Sequence, residues 1–109
     1  SSLDNITGKI DMKTAYDTVR RRSGGVKYCY DAQLNGNPEL PGDILKIRFV
    51  IGSSGSVDSC SIVSSSLGNA SLQECLCRMI RRWPFPAPEE GTATADLTVQ
   101  FIPVKPPKP

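Results

Sequence analysis

Apolar and polar positions alternate most cleanly between Asp43 and Ile51. Leu45, Ile47, Phe49 and Ile51 point one way, and Ile44, Lys46, Arg48 and Val50 the other, which predicts a strand with one buried face. Gly52-Ser53-Ser54-Gly55 supplies a turn, and Val57 to Ser64 can run back as the second arm of a hairpin. Cys60 and Ile62 share one face of that arm, with Val57 one step out of phase. A bulge near Asp58-Ser59 would turn all three inward. A third alternation sets Ala95, Leu97, Val99 and Phe101 against Asp96, Thr98 and Gln100, and predicts a third half-buried strand.

Between Asp11 and Leu34 the period lengthens. Ala15, Val19, Val26, Tyr30 and Leu34 recur mainly at every fourth position, which predicts helix, with Asp11 as its N-cap. Gly24-Gly25 interrupts it at a cost of about 1 kcal/mol per glycine. One long helix and two shorter pieces meeting at Ser23–Gly25 fit equally well. Asn35-Gly36-Asn37-Pro38 ends the stretch. Ser71 and Glu74 match a capping box, opening a helix with Leu72, Leu76, Met79, Ile80 and Trp83 on one face, which Pro84 stops. The order helix, strand, strand, helix, strand predicts an α+β fold: two helices on one face of a small three-stranded antiparallel sheet. Phe49, Leu45, Ile47, Ile62, Leu76, Ile80, Trp83, Leu97, Val99 and Phe101 are the expected core. Residues 1–10 are polar and read as a flexible lead-in, residues 11–102 as the domain, and residues 103–109 (PVKPPKP) as a proline-rich tail.

Composition narrows the chemistry. A chain of 109 residues with 39% hydrophobic content can build one core. The absence of histidine excludes triads with a His base and His-containing metal sites. No apolar run approaches the ~20 residues that cross a bilayer, and the polar start from Ser1 to Ile10 is not a signal segment. Cys29, Cys60, Cys75 and Cys77 form an even set without the paired C-x2-C spacing of a zinc ribbon, so two disulfides in an oxidising compartment are favoured over metal. Four cysteines allow three pairings, and spacing alone does not choose among them. No nucleophile has a credible base, so neither an enzyme nor a cofactor is expected. Arg20, Arg21, Arg22, Arg78, Arg81 and Arg82 form two basic clusters, a possible patch for an acidic polymer or simply solvated helix faces. A net charge of +2 and the lack of aromatic–basic interleaving argue against a nucleic-acid partner.

Taken together, Val26-x-x-Cys29-Tyr30-x-x-x-Leu34, Pro38-x-Leu-Pro-Gly42, Leu45-x-Ile47-x-Phe49-x-Ile51-x-x-x-Gly55-x-Val57, Ser64-Ser65-Ser66-Leu67, Leu72-x-x-Cys75 and Arg82-Trp83-x-Phe85-Pro86-x-Pro88 resemble the C-terminal domain of TonB-like periplasmic proteins. Within that family the chain looks most like the branch at the C-termini of the AgmX/PglI-type gliding-motility proteins of myxobacteria. Cys60, Cys77 and Pro84 depart from the usual pattern. Cys29 and Cys75 match the family's cysteine positions, so the resemblance implies a Cys29–Cys75 bond and leaves Cys60 to Cys77. It also implies a non-enzymatic, disulfide-stapled domain that couples an inner-membrane motor or energy source to outer-membrane partners, in gliding motility or transport. The full-length protein would be anchored in the inner membrane upstream and work in the periplasm. A segment of an outer-membrane or periplasmic protein would add as a strand along the last strand, whose edge comprises Asp96, Leu97, Thr98, Val99, Gln100, Phe101 and Ile102. A second copy could pair with the same edge as a homodimer. The alternatives are a secreted disulfide-rich binding or inhibitor module, and a polyanion- or peptidoglycan-binding domain using the arginine clusters.

Overall fold

A computed structural model describes residues 2–102, so the expected tail at 103–109 lies outside the described residues. The elements run β1 (Ser2–Thr7), α1 (Met12–Arg22), α2 (Gly24–Gly36), β2 (Asp43–Ile51), β3 (Val57–Ser65), α3 (Ala70–Ile80) and β4 (Ala93–Phe101). One antiparallel sheet holds four strands in the order β1-β4-β2-β3.

The class is α+β, but the strand count and element order differ from expectation in one respect. Ser2–Thr7, read from sequence as part of a frayed lead-in, is a strand against β4. Its buried residues, Leu3 and Ile6, lie three apart because the register shifts between Leu3 and Asn5. The extra residue, Asp4, breaks the period of two on which strand recognition depends.

The central hairpin follows the alternation. Leu45, Ile47, Phe49 and Ile51 are fully buried on β2. A register shift that leaves out Asp58 turns Val57 inward. Gly55 closes the turn with φ +91°, and an added Cβ there would lie 2.4 Å from the Phe85 carbonyl oxygen. Only a glycine meets both demands. Most of the expected core is buried, but Ile62 is only half-buried because β3 is an edge strand.

The first helical stretch breaks at Ser23 into α1 and α2. Asp11 caps α1, its carboxylate accepting from the Thr14 amide at 3.2 Å, and that hydrogen bond holds the carboxyl below its ordinary range. Asn37 ends α2 with φ −149°, so Pro38 blocks continuation without a left-handed cap. At α3 the cap is Asn69, not Ser71: the Asn69 side-chain oxygen accepts from the Leu72 amide at 3.0 Å. Leu72, Leu76 and Ile80 of α3 are fully buried, and Trp83 follows at 3% exposure. Phe49, Trp83 and Phe85 form a three-ring cluster: the Phe49 centroid lies 6.4 Å from Trp83 and 5.4 Å from Phe85, which are 6.2 Å apart.

Two disulfides fasten these layers. Cys29 is bonded to Cys75 and joins α2 to α3, whereas Cys60 is bonded to Cys77 and joins α3 to the edge strand β3.

Candidate functional site

The expected partner edge runs from Asp96 to Ile102, and the structure divides it in two. Ser2, Leu3, Asn5, Ile6 and Thr7 pair with Thr98, Leu97, Asp96, Ala95 and Thr94. The expectation of a bare edge along Asp96, Leu97 and Thr98 is therefore corrected, since their outer side is occupied by β1. The Thr98 hydroxyl donates to the Asp4 carboxylate, and the Thr7 hydroxyl lies 3.5 Å from the Thr94 carbonyl oxygen that accepts from it. Beyond Thr98 the pairing stops. Val99, Gln100 and Phe101 pair with Leu45, Ile44 and Asp43 of β2, and no described strand lies on their other side. Gln100 and Ile102 are exposed there.

That uncovered end is rigidly supported. Phe101 stacks on Tyr30 at 4.7 Å with the ring planes 8° apart. The Tyr30 hydroxyl donates toward the Leu40 and Pro41 carbonyl oxygens, at 3.1 and 3.0 Å. Burial, reinforced by the negative charges of Asp43 and Asp31, pushes the Tyr30 phenol above its ordinary pKa. On the solvent face of the sheet, Arg48 holds Asp96 through Nε at 2.8 Å and Nη2 at 3.4 Å. This pairing lowers the Asp96 pKa, so Asp96 serves the sheet rather than its edge.

The other edge is β3, whose outer side has no strand partner among the described residues. Its pairing with β2 shifts at two places, leaving Asp58 and Val63 out of register. Bulges of this kind twist an edge and discourage further pairing. The C-terminal end of β3 is fixed by Asp43, a side chain that sequence alone does not single out. Asp43 is 1% exposed, and its carboxylate accepts from the Ser66 and Leu67 amides and from the Ser65 and Ser66 hydroxyls, at 2.9 to 3.1 Å. Ser66 Oγ in turn accepts from the Ile44 amide at 3.1 Å. The signal available in the sequence was an acid opening a strand opposite a Ser-Ser-Ser run, which suits an Asp–Ser clamp as well as a turn.

Of the six candidate basic residues, four converge. Arg21 and Arg22 at the end of α1 share the lining of a groove with Arg78, in the last turn of α3, and Arg82, just beyond it. Arg20 instead pairs with Asp17 on its own helix, and Arg81 faces a separate depression beside Cys60, which Glu74 and Arg78 also line. Among the described residues no group of three or more acidic, Cys or His side chains could hold a metal ion, and no helix is long and apolar enough to cross a membrane.

Residues 42–103 match a family model, described as Gram-negative bacterial TonB protein C-terminal. The match spans β2, β3, α3 and β4, and leaves out β1, α1 and α2. Neither a curated protein nor a solved structure matches the chain.

Proposed function

Because the chain belongs to the family of Gram-negative bacterial TonB protein C-terminal domains, we propose that it couples an inner-membrane motor or energy source to an outer-membrane partner by strand exchange at β4. Domains of this family are non-enzymatic interaction domains of the periplasm. The finer reading, a role in gliding motility or transport of the AgmX/PglI type, extends that family-level statement. The observation that carries it is the half-covered edge of β4. β1 occupies Thr94 to Thr98 with a register shift in the middle, and beside Val99 to Phe101 no strand lies among the described residues.

An incoming extended segment would first pair with Val99, Gln100 and Phe101, which have no strand on their outer side among the described residues. It would then replace β1 stepwise toward Thr94. β1 is suited to such replacement because it fixes only Leu3 and Ile6 in the core and ends at a glycine, Gly8, with φ +115°. Each backbone hydrogen bond formed replaces one lost, so the exchange is near balance, and side chains of the partner decide its direction.

The test is site-specific photo-crosslinking in intact Gram-negative cells that express the full-length protein. A benzoyl-phenylalanine at Gln100 should give a cross-link to a protein of the outer-membrane fraction, whereas the same group at Lys13, on the exposed side of α1, should give none. Cross-linking from Ser61 on β3 but not from Gln100 would move the contact to the other edge and overturn strand exchange at β4.

A further inference from the structure

Four arginines facing one another without an acid are an unusual arrangement. Arg21, Arg22, Arg78 and Arg82 are all exposed, and among the described residues none lies within ion-pair distance of a carboxylate. No acidic side chain lines the groove between them. Like charges held on two banks repel, and a bound anion relieves that repulsion. The Cys29–Cys75 bond, which lines the groove, ties α2 to α3, and α2 follows α1 after Ser23 alone.

The floor has different chemistry from the banks. It is made by the disulfide, Met79 and Trp83, and the groove encloses about 500 Å³. Gly25 sets its depth: a Cβ there would lie 2.8 Å from the Met79 sulfur, so glycine lets Met79 lie against the start of α2. An inorganic anion or a lipid headgroup would satisfy the arginines and leave this apolar floor unused. A peptide carrying carboxylates on both sides of a large apolar side chain uses both.

We propose that this groove docks an acidic segment of a protein partner, with one or two apolar side chains on the Cys29–Cys75, Met79 and Trp83 floor and carboxylates on Arg21, Arg22, Arg78 and Arg82. The contact is separate from strand exchange, since the groove lies in the helical layer and β4 does not line it. Its consequence is a second point of attachment that is weakened by salt, whereas backbone pairing at β4 is not.

Trp83 is the only tryptophan in the chain, so its emission reports occupancy of the groove directly. The probe is a capped peptide of sequence Glu-Asp-Leu-Leu-Asp-Glu, titrated into the whole chain at low salt. A saturable change in Trp83 emission and a raised melting temperature are expected. The Arg78→Glu/Arg82→Glu variant should weaken binding about tenfold or more, as two attractive pairs become repulsive. Lys13→Glu/Lys46→Glu, with the same net charge but on surfaces outside the groove, should leave it within about threefold. A melt of each variant without peptide separates lost binding from lost folding, and Arg78→Gln/Arg82→Gln serves if charge reversal unfolds the chain. Replacing the peptide's leucines by serine should cost about tenfold or more, because a buried leucine contributes about 1.5–3 kcal/mol. Equal affinity for the serine peptide would overturn the proposal, as would equal losses in both charge variants. So would phosphatidylglycerol vesicles shifting Trp83 emission where the peptide does not. Failure of these titrations with Gln100 cross-linking intact would remove the groove and leave the β4 reading standing.

Discussion

Replacing Asp43 by alanine removes an acceptor on which four donors converge. Two are main-chain amides, Ser66 and Leu67, and two are hydroxyls, Ser65 and Ser66. A hydrogen bond to a charged acceptor contributes about 1.5–3 kcal/mol net, which would sum to far more than one side chain is worth. Two reductions apply. Ser66 is exposed, so water can replace the carboxylate at its groups, and the hydroxyls can turn to other partners. The amides then dominate, and a loss of about 2–4 kcal/mol is expected, a large share of the 5–15 kcal/mol typical of a whole domain. Asn at the same position keeps one carbonyl oxygen for the amides and should cost only about half as much. Denaturant melts followed by circular dichroism give the stabilities, and amide hydrogen exchange gives the location. In the alanine variant Ile44, Ser66 and Leu67 should exchange faster, because Ser66 Oγ relays the clamp to the Ile44 amide. If alanine melts with the parent and these three amides keep their protection, Asp43 does not fasten β3 to β2.

Three further outcomes follow from the packing. Phe49→Ala, which empties a fully buried site beside Trp83 and Phe85, should cost about 3–5 kcal/mol in a denaturant melt. Replacing both Cys29 and Cys75 by alanine should destabilise more than replacing Cys60 and Cys77, about 4 against about 3 kcal/mol in the chain-entropy model, since the separations are 46 and 17 residues. Asp96 has its pKa lowered by the Arg48 hydrogen bond, so its contribution to stability is present above the ordinary value of 3.8 and is lost as pH falls through the lower folded value. Melts of Asp96→Asn should therefore lose that part of the acid dependence, and an unchanged acid limb would refute the pairing.

The sheet's centre was legible because β2 and β4 obey one rule along nearly their whole length. From Leu45 to Ile51 and from Ala93 to Phe101 every second residue is apolar, and the alternate positions carry Lys46, Arg48, Asp96 and Gln100. β1 was not legible, since its single extra residue puts Leu3 and Ile6 three apart, which breaks the period of two and suits a helix face instead. That one omission changed the candidate site, because the strand it hid is the strand that covers half of β4. Ser71 and Glu74 satisfied a capping pattern, yet Asn69 two residues earlier had an equally suitable oxygen and took the role. The convergence of Arg21 and Arg22 on Arg78 and Arg82 could not be read from periodicity. It depends on the kink at Ser23 and on how α2 and α3 are joined.

The Cys29–Cys75 bond also sets the route that tension takes through the molecule. A pull on the two ends passes along residues 2–29, crosses the two sulfurs, and continues along residues 75–101. The 45 residues between the cysteines are bypassed, and with them about 150 Å of extensible chain. The hairpin of β2 and β3 and most of α2 therefore carry no load along their own backbone. β1 begins beside Thr98, near the end of β4 that leads to the C-terminus. The two ends are thus pulled from the same side of the sheet, and β1 opens one pair at a time rather than sliding. Under load the domain gives way early at its first strand and then stiffens at a covalent stop.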